Sequence, residues 1–296
     1  MVGIKSKSQT NQDKVKPSNP GAIAPGFFYH PISAKLLHRS PPFRKEPKHM
    51  NYQLEVCIDN IESLQYALAG GATRIELCSS LDLGGLTPSF GFMRLASNLS
   101  SAPIYAMIRP RQGDFLYVPS EIEQMMWDIE SAAKAGLTGV VLGVLTEDSD
   151  VNKHALKILV DYAHSLSLNV TFHRAIDVCR DYRQAMETII ELGCERVLTS
   201  GQASSAEKGI ATIKEMVTIA NGRIAIMAGA GVNAGNVRAI IEQTGVQEVH
   251  MSGKTSRPSK MKPTKQEAYM GNEECDDSLI PITSTAAVEA VAHLLR

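Results

Sequence analysis

Two periodicities alternate along the chain from Asn51 onward. Short runs rich in Val, Ile and Leu are separated by longer stretches whose apolar residues recur every three or four positions. The first pattern predicts strands over 54–58, 74–78, 104–108, 139–143, 169–173, 196–200, 223–227 and 248–252. The second predicts helices over 61–69, 120–135, 152–164, 182–192, 206–220, 233–243 and 285–295. Asn60, Ser120, Asn152 and Asn233 stand where N-caps are needed, and Gly136, Gly193 and Gly245 where a helix end calls for left-handed backbone. Eight strands alternating with helices predict a parallel sheet covered on both faces. Residues 51–296 match the ~250 of a typical (β/α)8 barrel. The expected fold is α/β, a single-domain TIM barrel, with an open doubly wound sheet as the competing architecture.

The even strands share one layout: a glycine, two linker residues, then the strand. It recurs in GATRIELC (71–78), GLTGVVLG (136–143), GCERVLTS (193–200) and GVQEVHMS (245–252). One parity is apolar and branched (Ile75, Val140, Val197, Val249) and is expected to face the helices. The other parity points inward in layers of four. These layers are Arg74, Gly139, Arg196 and Glu248; then Glu76, Val141, Leu198 and His250; then Cys78, Gly143, Ser200 and Ser252 at the C-terminal mouth.

Charge divides the chain. Residues 1–50 hold seven Lys and two Arg against Asp13 and Glu46, a sum of +7, so a total of −1 leaves −8 for the rest. Seven of the 14 prolines also fall there, and no apolar period does. The segment reads as a disordered, Pro-rich basic arm preceding the barrel at 51–296. As a transit peptide it would favour Arg and an amphipathic helix, and its prolines oppose the helix. An acidic body with one short basic run excludes a nucleic-acid binder. No apolar run approaches the ~18 residues of a membrane span. Five cysteines, an odd number, point to reduced thiols in a cytosol-like compartment.

Candidate chemistry gathers at the strand ends. LEVCI and RIELC both contain Glu-x-Cys, so Glu55 and Cys57 point the same way, as do Glu76 and Cys78. Neighbouring parallel strands lie about 4.8 Å apart, which would set the two sulfurs side by side. Two thiolates so placed suit Cu(I); zinc wants four ligands, and no Cys-x-x-Cys supplies them. Inert packing and a reversible disulfide are the other readings of the pair. Arg109 ends the third strand, His173 the fifth, and His250 comes from the eighth. With Glu55 and Glu76 they form either a self-satisfied ion network or a site in which Glu or His exchanges protons and Arg109 holds an anion. Gly229 and Gly231 after strand seven, with Ser252 and Gly253 after strand eight, occupy the place where barrels commonly bind phosphate. The basic stretch 254–277 reads as a solvated loop, or as a mobile lid over the mouth.

These segments, LEVCID (54–59), GGATRIELCS (70–79), GGLTP (84–88), MIRPR (107–111), GDF (113–115), LTED (145–148), TFHRA (171–175), RVLTSG (196–201) and GAG (229–231), resemble the CutC copper homeostasis family. The resemblance runs from about Leu54 to Ser252. It implies a TIM barrel, a Cu(I) cofactor, a cytoplasmic protein sometimes also nuclear, and a homo-oligomer, dimer or tetramer. The family's proposed copper ligands fall on Cys57 and Cys78. Residues 1–50 have no counterpart in it, Ala230 interrupts a run that is usually all glycine, and 254–277 diverges. No established reaction comes with the family. Two functions stay open: a copper-binding protein using the cysteine pair, and an enzyme on a small phosphorylated or anionic substrate. In the enzyme, Arg109 and the 229–231 loop would bind the anion, and Glu55, Glu76 or His173 would serve as acid or base.

Overall fold

The structure is a computed structural model that describes residues 52–262 and 276–296. The arm expected over 1–50 and the middle of the stretch expected over 254–277 lie outside the described residues. Eight parallel strands pair in chain order and close on themselves. They are β1 (Gln53–Ile58), β2 (Arg74–Leu77), β3 (Ile104–Met107), β4 (Gly139–Leu142), β5 (Asn169–Phe172), β6 (Arg196–Thr199), β7 (Ala225–Ala228) and β8 (Glu248–Met251). Around them run α1 (Ile61–Gly70), α2 (Phe90–Leu99), α3 (Pro119–Ala135), α4 (Lys153–Ser165), α5 (Tyr182–Glu191), α6 (Ile210–Ala220), α7 (Val237–Thr244) and α8 (Thr285–Leu294). This is the (β/α)8 barrel that the alternation predicts. Ile75, Val140, Val197 and Val249 are fully buried between the strands and the helix ring. Each helix supplies its own stripe, as in α4, where Ala155, Leu156, Leu159, Val160 and Ala163 are buried on one face.

Local chemistry moves several helix starts. α3 begins at Pro119, whose ring presets the first helical φ, so Ser120 is not the cap. Asn233 does not cap α7: its side chain accepts from the Gly235 N–H at 2.8 Å, and this local turn delays the helix to Val237. α6 starts at Ile210 because Gly209 is pressed against strand-end backbone; a Cβ there would stand 1.9 Å from the Ser200 carbonyl oxygen.

The stretch expected as a loop or lid is structured at both ends. Lys254–Pro258 (β9) and Leu279–Thr283 (β10) form an antiparallel pair. The pair is tied to α1: the Thr283 N–H donates to Ser63 Oγ at 3.0 Å, Asn60 Nδ2 donates to the Pro281 carbonyl at 3.0 Å, and Arg257 grips Glu62. Among the described residues no helix is long and apolar enough to cross a membrane.

Candidate functional site

The lowest inward layer is a charge network. Arg74 bonds Glu55 and, at 2.6 Å, Glu248, and Glu248 also holds Arg196. Both guanidinium groups lie 5.4 Å from the centre of the Tyr105 ring, favourable for cation–π attraction. Gly139, in the same layer, makes room for that ring: a Cβ there would come within 2.4 Å of it. Glu55 is fully buried and also 2.9 Å from His250 Nδ1. Burial works against its charge, but Arg74 and His250 outweigh it and bring its pKa down to about 2. Glu55 thus belongs to the floor and holds its neighbours in place.

One layer up, strand stagger decides what meets what. Because barrel strands are sheared against each other, Cys57 pairs in register with Glu76, not with Cys78. The carboxylate of Glu76 thus stands directly opposite Cys57, and a mixed group forms there. Ligand atoms of Cys57, Glu76 and His250 all lie within 4.8 Å of one another. Cys78 follows the last residue of β2, and its thiol donates to Glu76 Oε2 at 3.5 Å. Both cysteines are free and buried. Burial raises the Cys57 thiol, partly countered by His250, and burial together with Glu76 raises Cys78 well above the ordinary range. Burial also raises Glu76. On its own burial would keep His250 neutral, but the Cys57 sulfur and the Glu76 and Glu55 carboxylates around it raise its pKa well above the ordinary imidazole value.

Above this group opens a cavity of about 390 Å³. It gathers Cys57, Glu76, Arg109, His173, His250, Gly231 and Ser252 from strands or strand ends all around the barrel. Glu55 lies beneath it. Arg109 commits its terminal nitrogens to backbone, Nη1 donating to the Leu83 and Gly85 carbonyls at 3.0 and 3.2 Å and Nη2 to the Gly113 carbonyl at 2.9 Å, while its buried Nε has no partner among the described residues. It thereby pins the loop after β2 to the loop after β3. His173 Nδ1 accepts from the Ala175 N–H at 3.2 Å. Gly229 packs closely at the base of its loop, where a Cβ would stand 2.6 Å from the tip of the Leu198 side chain. Gly253 carries a φ of +57° and accepts from the Ser284 N–H at 2.8 Å, which joins the end of β8 to α8.

Arg174 and Asp177 belong to the site as well, although no sequence pattern singles them out. Arg174 lines the cavity, with its Nε on Asp177 Oδ2 and its Nη2 on Ser200 Oγ at 2.8 and 2.9 Å. Asp177 accepts from Thr199 Oγ1 and from the Ser200 N–H and Oγ, so it welds the loop after β5 to the end of β6. Their only trace in the sequence is a pair of opposite charges three residues apart, directly after His173.

A model of the CutC family matches residues 52–255. The family protein CutC of Vibrio parahaemolyticus is 60% identical over 243 residues, covering 82% of this chain and 98% of its own. That of Vibrio vulnificus is 60% identical over 247 residues, covering 83% and 99%. Among solved structures, the CutC of Streptococcus agalactiae, named for copper homeostasis, superposes with a TM-score of 0.64 at 33% identity, covering 67% of this chain and 97% of that one. A deoxyribose phosphate aldolase from Aeropyrum pernix, with a TM-score of 0.53 at 13% identity over 68% of this chain and 85% of its own, shares the barrel alone. A match over most of the chain, with relatives this similar along nearly their whole length, means that the chain belongs to the CutC family.

Proposed function

We propose that this protein serves copper homeostasis by holding Cu(I) at the floor of the cavity. The observation that carries the reading is the convergence of Cys57, Glu76 and His250 within 4.8 Å inside a buried pocket. A thiolate and an imidazole are donors that Cu(I) accepts in low coordination number, while the Glu76 carboxylate is too hard to rank as its ligand. Cys57 faces the cavity and supplies the first sulfur. Cys78, whose thiol is hydrogen-bonded to Glu76, supplies the second. Because burial holds both sulfurs as thiols and the groups around His250 favour its protonated form, each of the three must release a proton to become a ligand, and affinity rises with pH. The cytoplasm, where thiols stay reduced, suits such a site.

Competition titration with Cu(I) under reducing, anaerobic conditions tests this reading. The wild type is expected to take up one equivalent. Cys57→Ser and Cys78→Ser each weaken binding, and the double variant weakens it roughly 100-fold or more, beyond the roughly 10–100-fold that losing a partner behind a ligand costs. Unchanged affinity in the double variant, with circular dichroism showing an intact fold, sinks the copper assignment.

A further inference from the structure

The cavity also contains polar groups that copper does not use. His173 lies outside the Cys57, Glu76 and His250 group, lines the cavity wall and is 3% exposed, and its Nε2 has no partner among the described residues. A buried donor left without a partner costs about 1–3 kcal/mol, so the fold has reason to keep it only if something meets it.

The imidazole is built into one orientation. Its Nδ1 accepts from the Ala175 N–H. The Phe115 ring packs 4.8 Å away, centre to centre, and Phe172 meets its edge at 6.1 Å. Gly143 gives it space: a Cβ there would stand 2.6 Å from Cε1 and Nδ1. Burial and the nearby Arg109 charge push its pKa down to about 3, so the ring is neutral at physiological pH. With Nδ1 accepting, the single ring proton must sit on Nε2. His173 therefore presents a fixed, uncharged N–H donor to the cavity.

Two other groups complete a pattern. Glu76 Oε1 is buried, lines the same cavity and also has no partner among the described residues. Arg174 stands at the rim, held by Asp177 and Ser200, with 45% of its side chain exposed. The walls between are Leu81, Met107, Phe115 and Leu198. A volume of about 390 Å³ accommodates a small metabolite and no polymer.

We propose that the cavity is a binding site for a small anionic hydroxy-carbonyl compound. Its carbonyl oxygen accepts from His173 Nε2–H, its hydroxyl faces Glu76, and its anionic end lies toward Arg174. A neutral imidazole donor aimed at a carbonyl polarises it without adding a charge to the pocket, as barrel enzymes that work on such compounds do. This site stands independently of the copper reading, although Glu76 borders both.

The test uses the full chain without metal, labelled with ¹⁵N-histidine, and dihydroxyacetone phosphate, glycolaldehyde phosphate and hydroxypyruvate as probes. At least one is expected to shift the His173 Nε2 resonance and to bind with a Kd below about 1 mM by calorimetry, the usual ceiling for metabolite sites. For dihydroxyacetone phosphate the matched control is glycerol 3-phosphate, with a hydroxyl in place of the carbonyl, which is expected to bind at least about tenfold more weakly. His173→Phe keeps a ring but no donor and is expected to lose the binding; His173→Gln, which restores an N–H, is expected to regain part of it. Gly143→Ala reaches the same end by displacing the imidazole rather than removing it. Cu(I) titration on the same variants reports whether the pocket has survived, and so separates failure of this site from failure of the copper site. If no probe moves the His173 resonance, the cavity holds only water. If glycerol 3-phosphate and inorganic phosphate bind as well as the carbonyl compound, it is an anion site without carbonyl recognition. Either result overturns the proposal, as does full binding by His173→Phe.

Discussion

Glu55→Gln keeps the side chain's volume and removes its charge from the floor of the barrel. The wild-type carboxylate is fully buried between Arg74 and His250, which bring its pKa from 4.5 to about 2 despite burial. At 1.36 kcal/mol per pH unit, that gap corresponds to about 3 kcal/mol of stability in the charged state. The figure agrees with the roughly 3–5 kcal/mol lost when one partner of a buried ion pair is removed. Because the folded pKa lies below the unfolded one, this stability is fully present above about pH 4.5 and is lost as the pH falls toward 2. Urea unfolding followed by circular dichroism, at pH 6 and pH 3, separates charge from packing. The variant is expected to be about 3 kcal/mol less stable at pH 6, and the gap to shrink by about 2 kcal/mol at pH 3. Glu76 is raised by burial and in part by the Glu55 charge, so the same comparison is repeated in a Glu76→Gln background to hold that group's titration constant. A gap of equal size at both pH values refutes the electrostatic account, and a gap under about 1 kcal/mol at pH 6 would show that the network holds no net stability.

Gly139→Ala sets a methyl within 2.4 Å of the Tyr105 ring and 2.7 Å of the Asn169 carbonyl; overpacking of this kind costs about 1–3 kcal/mol, visible as a fall of several degrees in Tm. A smaller loss, within experimental error, would mean that the ring moves freely. Ala230→Gly is expected to act the other way: Ala230 holds a φ of +73°, where a Cβ costs about 1–2 kcal/mol, so glycine raises Tm by about 2 °C after its own entropy cost is set against that gain. A drop in Tm would show that the Ala230 methyl carries packing of its own.

The barrel was legible because its strands are buried on both faces and its helices on one, so period and spacing report the architecture directly. The inward layers were legible for the same reason, down to Arg74, Arg196 and Glu248 meeting in one network. α2 escaped notice because FGFMRLASNL buries only Met93 and Ala96, too few positions to write a period. The β9–β10 pair escaped because its strands are about twenty residues apart, and pairing across that distance has no local signature. Register was the decisive omission at the site. Alternation tells which way Cys57 and Cys78 point, but the shear that sets Cys57 opposite Glu76 is a property of closing all eight strands. His173 could be placed inward from its strand, whereas its locked orientation depends on Gly143 and Phe115 from other parts of the chain and on the backbone turn that brings the Ala175 N–H to its Nδ1.

Closure of the barrel by β1 against β8 imposes an order in time. Glu55 finds Arg74 after only 19 residues of further chain but His250 after 195. At ~5–20 residues per second of synthesis, the first strand waits roughly 10–40 seconds for its second neighbour. Throughout that interval β1 has one unpaired edge, and a nascent chain with an open strand edge is a target for other strands. A buried charge on that strand discourages such pairing, since a neighbouring chain would have to cover a carboxylate that Arg74 has met on one side only and whose other oxygen awaits His250. The ion network that steadies the finished barrel thus also guards the growing one against the wrong partner.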